Sequence, residues 1–137
     1  MSTNSTVSMV VDQKVVSVYG HWDGYLDGVG ATLNEFYLDR EAVMSILDEG
    51  DFSSLDRNSF DAPPGHSFEN PVDGNTVFYG RDRGEEGCGA RVLESLDDLQ
   101  VEYPSAEYDY VFVDGEGWFY RQRYTSNTFQ KLIRAYH

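Results

Sequence analysis

Apolar positions alternate in one stretch near the start of this chain and another past its middle, and recur at helical spacing between them and at the C-terminal end. Thr6 to Val11 and Lys14 to Tyr19 are rich in β-branched residues and alternate roughly one in two. Only Asp12 and Gln13 separate them, the length of a tight hairpin loop, so two paired strands are predicted. Gly20 to Gly30 mixes glycines with bulky aromatics and acids, a composition for irregular backbone. Val29, Leu33, Phe36 and Tyr37 then share one helical face. A second helix, with Val43, Ile46 and Leu47 inward, is predicted between a cap at Asp39 and an end at Gly50.

Prolines, glycines and asparagines make residues 51–75 an extended connection. A strand is expected at Thr76 to Tyr79, a Gly-rich loop from Arg81 to Gly89, and a short helix through Val92, Leu93, Leu96 and Leu99. Tyr108 to Val113 and Trp118 to Arg123 flank Asp114 to Gly117, which reads as a second hairpin. Phe129, Leu132, Ile133 and Tyr136 stand at i, i+3, i+4 and i+7, so a terminal helix is predicted, with Ser126 or Thr128 as its cap. The order implies a single α+β domain over residues 1–137. Its antiparallel sheet is built from the two hairpins plus a further strand, with short amphipathic helices packed on one face.

Charge changes this picture more than any motif does. The chain carries 24 acidic against 10 basic side chains, a formal net charge of −14. Such a surface repels phosphate backbones and anionic lipid, which argues against direct nucleic-acid binding and favours a basic macromolecular partner. Carboxylates also serve solubility alone. Between Val92 and Tyr120 there is no Lys, Arg or His, while Glu94, Asp97, Asp98, Glu102, Glu107, Asp109, Asp114 and Glu116 all fall there. A one-signed binding face is expected from this run, with Glu94, Asp97, Asp98, Glu102, Asp114 and Glu116 as its contact residues. Arg121, Arg123, Lys131 and Arg134 follow without an acid among them, so the C-terminal element is expected to dock on acidic neighbours.

Two loops offer a different chemistry. His21, Trp22, Asp23 and Tyr25 stand just beyond a predicted strand, where a rigid scaffold commonly presents functional groups. The imidazole and carboxylate could share a proton and the rings could stack on a planar ligand; equally, the rings could cover the core while Asp23 shapes a turn. Arg81, Asp82, Arg83 and Glu85 form the densest mixed-charge cluster. Its guanidinium groups suit a phosphate or carboxylate, or else neutralise acids within the chain. A pocket joining the 21–25 and 81–85 loops would make a small-ligand or nucleotide site, with His21 or Glu85 as the acid–base group.

Several classes find no footing in the sequence. His21, His66 and His137 are far apart, and G-x-S-x-G, G-x-x-x-x-G-K-[ST] and G-x-G-x-x-G are absent, so no catalytic residue is assigned. Around Asp23 and Asp27, Tyr25 and Asn34 occupy positions where a calcium loop needs an oxygen ligand and a glutamate. Cys88 is the lone cysteine, which rules out an intramolecular disulfide and a cysteine-based metal site within one chain. Neither a metal nor a cofactor is expected. No apolar run approaches the roughly 20 residues that span a bilayer, and Met1 to Thr6 lacks the basic start of a secretory signal, so a cytoplasmic location is expected.

The segments His21 to Tyr25 with Gly28 to Gly30, Asp51 to Leu55, His66 to Phe68 with Asn70-Pro71, and Tyr79 followed by Arg81 to Glu85 resemble a family of small phage and prophage proteins. The resemblance covers about the first two thirds of the chain. It implies a viral origin and the bacterial host cytoplasm as the working compartment. The chain departs from that pattern at Gly20, where the family often has cysteine, and at Leu26, where proline is usual, so a Cys-His metal pair is not implied. Charge and resemblance together lead to the expectation of a small acidic phage-type effector. It would bind and inhibit a basic host protein, such as a nucleic-acid-processing enzyme, by mimicking nucleic acid.

Overall fold

A computed structural model describes residues 2–132. Strands β1 (Ser5–Val11) and β2 (Lys14–Gly20) form the expected antiparallel hairpin, with Val11 opposite Lys14. Asp12 and Gln13 both have positive φ, 49° and 68°, which lets a two-residue loop follow the strand twist without glycine. The second hairpin is also present, as β6 (Tyr108–Val113) and β7 (Gly117–Gln122).

The sheet is not purely antiparallel. β6 lies parallel to β1, Ser5 opposite Tyr108 and Met9 opposite Phe112. Hairpin sequences dictate their own internal pairing, but residues 21–107 are long enough for a crossover that returns the second hairpin in the same direction as β1. The outer edge of β2 is shared between β5 (Arg91–Leu93), antiparallel to Val15–Ser17, and β3 (Phe52–Ser54), parallel and meeting it at Gly20. β4 (Val77–Phe78) pairs with β3, and β8 (Gln130–Lys131) with β7. The main path is β4-β3-β2-β1-β6-β7-β8.

Helices α1 (Ala31–Phe36), entered through a π-turn at Leu26–Gly30, and α2 (Arg40–Glu49) cover one sheet face. Asp39 caps α2 by accepting from the Ala42 N–H at 2.8 Å, and Gly50 ends it at φ 93°. Leu33, Val43 and Ile46 pack there on Val7, Met9, Val18, Phe112 and Trp118. The opposite face carries a second, smaller core in which Leu93, Leu99, Tyr103 and Ala106 cover Val15 and Val111. Helix α4 (Asp98–Glu102) belongs to that second layer, so helices lie on both faces rather than one.

Three local expectations change for identifiable reasons. Val92 and Leu93 join a strand because the outer edge of β2 would otherwise leave backbone groups unpaired; the helix begins only at Asp98. Gln130 and Lys131 pair with Tyr120 and Phe119, so Phe129 turns toward the smaller core and Leu132 toward the larger one, where a helix would have put both on one side. Ile133 and Tyr136 lie outside the described residues. The expected strand over 76–79 shortens to β4, because Tyr79–Arg83 forms α3 in place of a loop, while the 51–75 connection contributes β3.

Candidate functional site

The parallel β1–β6 pairing gathers the acidic residues. It places the Asp12–Gln13 turn and the Asp114–Glu116 turn at the same end of the sheet. β5 runs toward that end, with Leu93 opposite Val15, and delivers Glu94, Asp97 and Asp98 beside it. Glu94, Asp97, Asp114 and Glu116 are exposed and Asp98 is half-buried, accepting weakly from the Ser95 N–H at 3.3 Å. Glu94 also pairs with Lys14 at 2.6 Å, an exposed bridge worth little. Sequence alone does not place Asp12 with this group, since only the parallel register does so.

The remaining carboxylates of the run go elsewhere. Glu102 pairs with Arg91 at 3.3 Å, opposite Ser17 and away from the turns. The Glu107 N–H donates to Asn4 O, at the far end of β1. Asp109 is fully buried and accepts from Thr6 Oγ1, from Nε and Nη2 of Arg121, and from Nε and Nη2 of Arg123. Burial pushes its carboxyl up, but Arg123, Thr6 and Arg121 outweigh that and hold it below the usual carboxylate range. The expected docking of C-terminal basic residues on an acid is thus seen for Arg121, in β7, and Arg123, just beyond it, onto a core residue; Arg134 lies outside the described residues. Alternation along 108–113 signals it, because Asp109 shares a face with Val111 and Val113.

Between the turns and the 94–98 segment, on the smaller-core face, lies an open groove of about 320 Å³. Val10, Val111 and Val113 floor it; Leu96, Phe119 and Phe129 wall it; Glu116 stands on its edge. Lys131 lies over the Phe119 ring at 5.0 Å, the basic counterpart on that side. A larger hollow of about 490 Å³ touches Gln100, Ser105, Arg123 and Tyr124. Its cation, Arg123, is already engaged by Asp109 and by the carbonyls of Tyr103 and Leu99.

The two loops flank β3 instead of meeting. His21 and Trp22 donate their backbone N–H groups to the carbonyls of Phe52 and Ser53, while β4 runs along the other side of β3 into α3. Tyr19 Oη and His21 Nδ1 are 3.0 Å apart, and Trp22 meets the imidazole edge-on. Asp23, at φ 58°, accepts from Tyr25 Oη, which raises the phenol's pKa. Its carbonyl receives the Val29 N–H, and Tyr110 Oη donates to Gly24 O from the core. A Cβ at Gly28 would stand 2.2 Å from Asp23 O, so this glycine is required by close backbone approach.

In the second loop, Asp82 is the hub. It accepts from Arg81, from the Phe78 N–H at 2.8 Å and from His66 Nε2 at 3.2 Å. The Val72 N–H donates to His66 Nδ1, which fixes the proton on Nε2. Burial raises the Asp82 carboxyl, but Arg81, the Phe78 N–H and His66 prevail and lower it. Arg81 also donates to Thr76 O and lies over Phe78, so it is engaged within the chain. Arg83 stacks on Phe68 at 4.8 Å and approaches Glu85 at 3.5 Å. Between the loops, the Asp51 carboxylate fills the gap where β2 has no strand partner, accepting from the Tyr19 N–H at 2.9 Å; burial raises its pKa against that bond and the nearby Arg91. Burial likewise raises the Cys88 thiol, which leaves it a weak nucleophile.

Among the described residues no group of three or more His, Cys, Asp or Glu could hold a metal ion, and no helix is long and apolar enough to cross a membrane. Comparison with family models, curated proteins and solved structures finds no match to this chain.

Proposed function

We propose that the chain is a small acidic effector of phage type that binds and inhibits a basic host protein through the turn end of its sheet. The observation that carries this reading is the convergence of Asp12, Glu94, Asp97, Asp98, Asp114 and Glu116 at that end, opposed there only by Lys14 and Lys131 among the described residues. Carboxylates held on short turns and a packed segment form a preorganised negative surface, able to occupy a groove that normally receives phosphates. The bacterial cytoplasm as compartment and a nucleic-acid-processing enzyme as target follow from the family resemblance and from charge complementarity.

The test is a binding measurement on a basic protein recovered from bacterial lysate at low salt. Replacing Asp97, Asp98 and Asp114 with Asn and Glu116 with Gln reduces the formal charge from −14 to −10, four carboxylates fewer. Association should slow by roughly tenfold or more and its salt dependence should flatten, with the circular dichroism spectrum unchanged. Unchanged affinity and salt dependence, or recovery of no basic protein at low salt, overturns the proposal.

A further inference from the structure

From the groove beside the acidic turns we infer the chemistry of the partner's contact segment: a basic amphipathic stretch, with an aliphatic or aromatic side chain in the groove and lysines or arginines against its rim. This inference rests on the proposed reading of the turn end as a surface for a basic protein. A purely electrostatic mimic of nucleic acid needs carboxylates and no apolar hollow among them.

The groove lies where the smaller core stays open. Leu93, Leu99, Tyr103 and Ala106 close the middle of that face over Val15 and Val111, and the cover ends at the Ser95–Asp98 bend. Val10, Leu96, Val113 and Phe129 are left only partly buried around a hollow of about 320 Å³, the volume of a few side chains. Among the described residues the lining is aliphatic and aromatic, and its polar member is the exposed Glu116. Asp97 and Asp98 follow Leu96 directly, and Asp114 is in the same turn as Glu116.

An apolar floor inside a negative rim selects by two requirements at once. A side chain seated in the hollow removes Leu96, Val113 and Phe129 from water, and cations beside it meet Glu116, Asp97 and Asp114 across the rim. An acidic apolar segment is repelled, and a basic segment without an anchor leaves the hollow wet. Lys131, stacked on Phe119, makes one wall less negative, so the cations are expected on the side of Asp97 and Asp114.

The experiment uses the full chain and three fluorescently labelled synthetic peptides: a short amphipathic Leu/Lys peptide, its analogue with every Leu replaced by Ser, and a Leu/Glu peptide. Anisotropy titrations are run on the wild type, on Leu96→Ser, and on Val113→Phe, which fills the floor without exposing polar atoms. The Leu/Lys peptide should bind roughly tenfold or more tightly than the Ser/Lys peptide, and the Leu/Glu peptide not measurably. Both variants should abolish that preference by bringing Leu/Lys affinity down to the level of the Ser/Lys peptide. Equal affinity for the Leu/Lys and Ser/Lys peptides, or a preference that persists in Val113→Phe, overturns the groove assignment and leaves the acidic surface standing. The variant with Asn/Gln at 97, 98, 114 and 116 is titrated alongside: Leu/Lys affinity that is lost in Val113→Phe but unchanged by those replacements overturns the basic character assigned to the partner segment and the electrostatic reading with it.

Discussion

Replacing Asp109 with Asn is expected to be among the most damaging conservative changes in this protein. The carboxylate is 0% exposed and Arg121 is 2% exposed, and the Arg123 guanidinium reaches in beside them. Two guanidinium groups deliver four N–H···O bonds of 2.8–3.0 Å to it, and Thr6 adds a fifth at 2.7 Å. Asparagine keeps the shape but presents an NH₂ where an acceptor stood, and it leaves two positive charges facing each other with no counter-ion. Breaking one partner of a buried ion pair costs about 3–5 kcal/mol, a large share of the ~5–15 kcal/mol that holds a domain together. Urea denaturation at pH 7 measures the loss; a change under about 1 kcal/mol would refute the reasoning.

The pH dependence supplies an independent check. Because the folded-state pKa of Asp109 lies below its unfolded value, its contribution is present above the ordinary carboxylate range and disappears as pH falls through the folded value. Wild type should therefore lose stability on acidification more steeply than the Asp109→Asn variant. Arg123 also donates to the carbonyls of Tyr103 and Leu99, so release of its guanidinium should loosen the α4 segment and speed hydrogen exchange there before global unfolding.

Asp51→Asn is expected to behave in the opposite way, leaving stability at pH 7 unchanged or higher. Burial raises the Asp51 pKa, so its ionised form costs stability as pH rises through that value, while Asn keeps the oxygen that accepts from Tyr19; a loss above about 1 kcal/mol by urea denaturation refutes this. Asp39→Ala should cost about 1 kcal/mol by removing the α2 cap, and Asp39→Ser should restore most of it in the same assay. Trp118→Phe should destabilise by about 1–3 kcal/mol, because Nε1 donates to the buried Tyr37 carbonyl at 2.7 Å and no phenyl group can replace that bond; thermal unfolding measures it, and an unchanged midpoint refutes it.

Local features were legible in the sequence where local chemistry decides them. The two hairpins, the α2 cap at Asp39 and the end at Gly50 follow from residues within a few positions of each other. Pairing between distant segments was not legible. Val92 and Leu93 have helical spacing with Leu96 and Leu99, yet the empty edge of β2 decides their conformation, and that edge is set by residues 74 or more positions away. The same holds for Gln130 and Lys131 on β7. The candidate surface is an intermediate case: the run of acids from Glu94 to Glu116 is visible in sequence and alternation turns Asp109 inward, but separating paired Glu102 from the exposed turns requires the register of β5 against β2, and bringing Asp12 to the others requires that of β1 against β6.

That separation also bears on why the turn-end acids are present. Asp39 holds a helix terminus, Asp51 fills a sheet gap, Asp82 organises His66 with Arg81, and Asp109 neutralises two core arginines. Each of these carboxylates has a structural partner that would be left unsatisfied without it. Asp12, Asp97, Asp114 and Glu116 make no comparable contact among the described residues, and like charges gathered on adjacent turns repel one another, so their effect on stability is neutral or unfavourable. Solubility alone would be served by the same charges dispersed over the surface. Their concentration beside an apolar groove is the arrangement expected if a basic, partly apolar partner supplies the missing counter-charges.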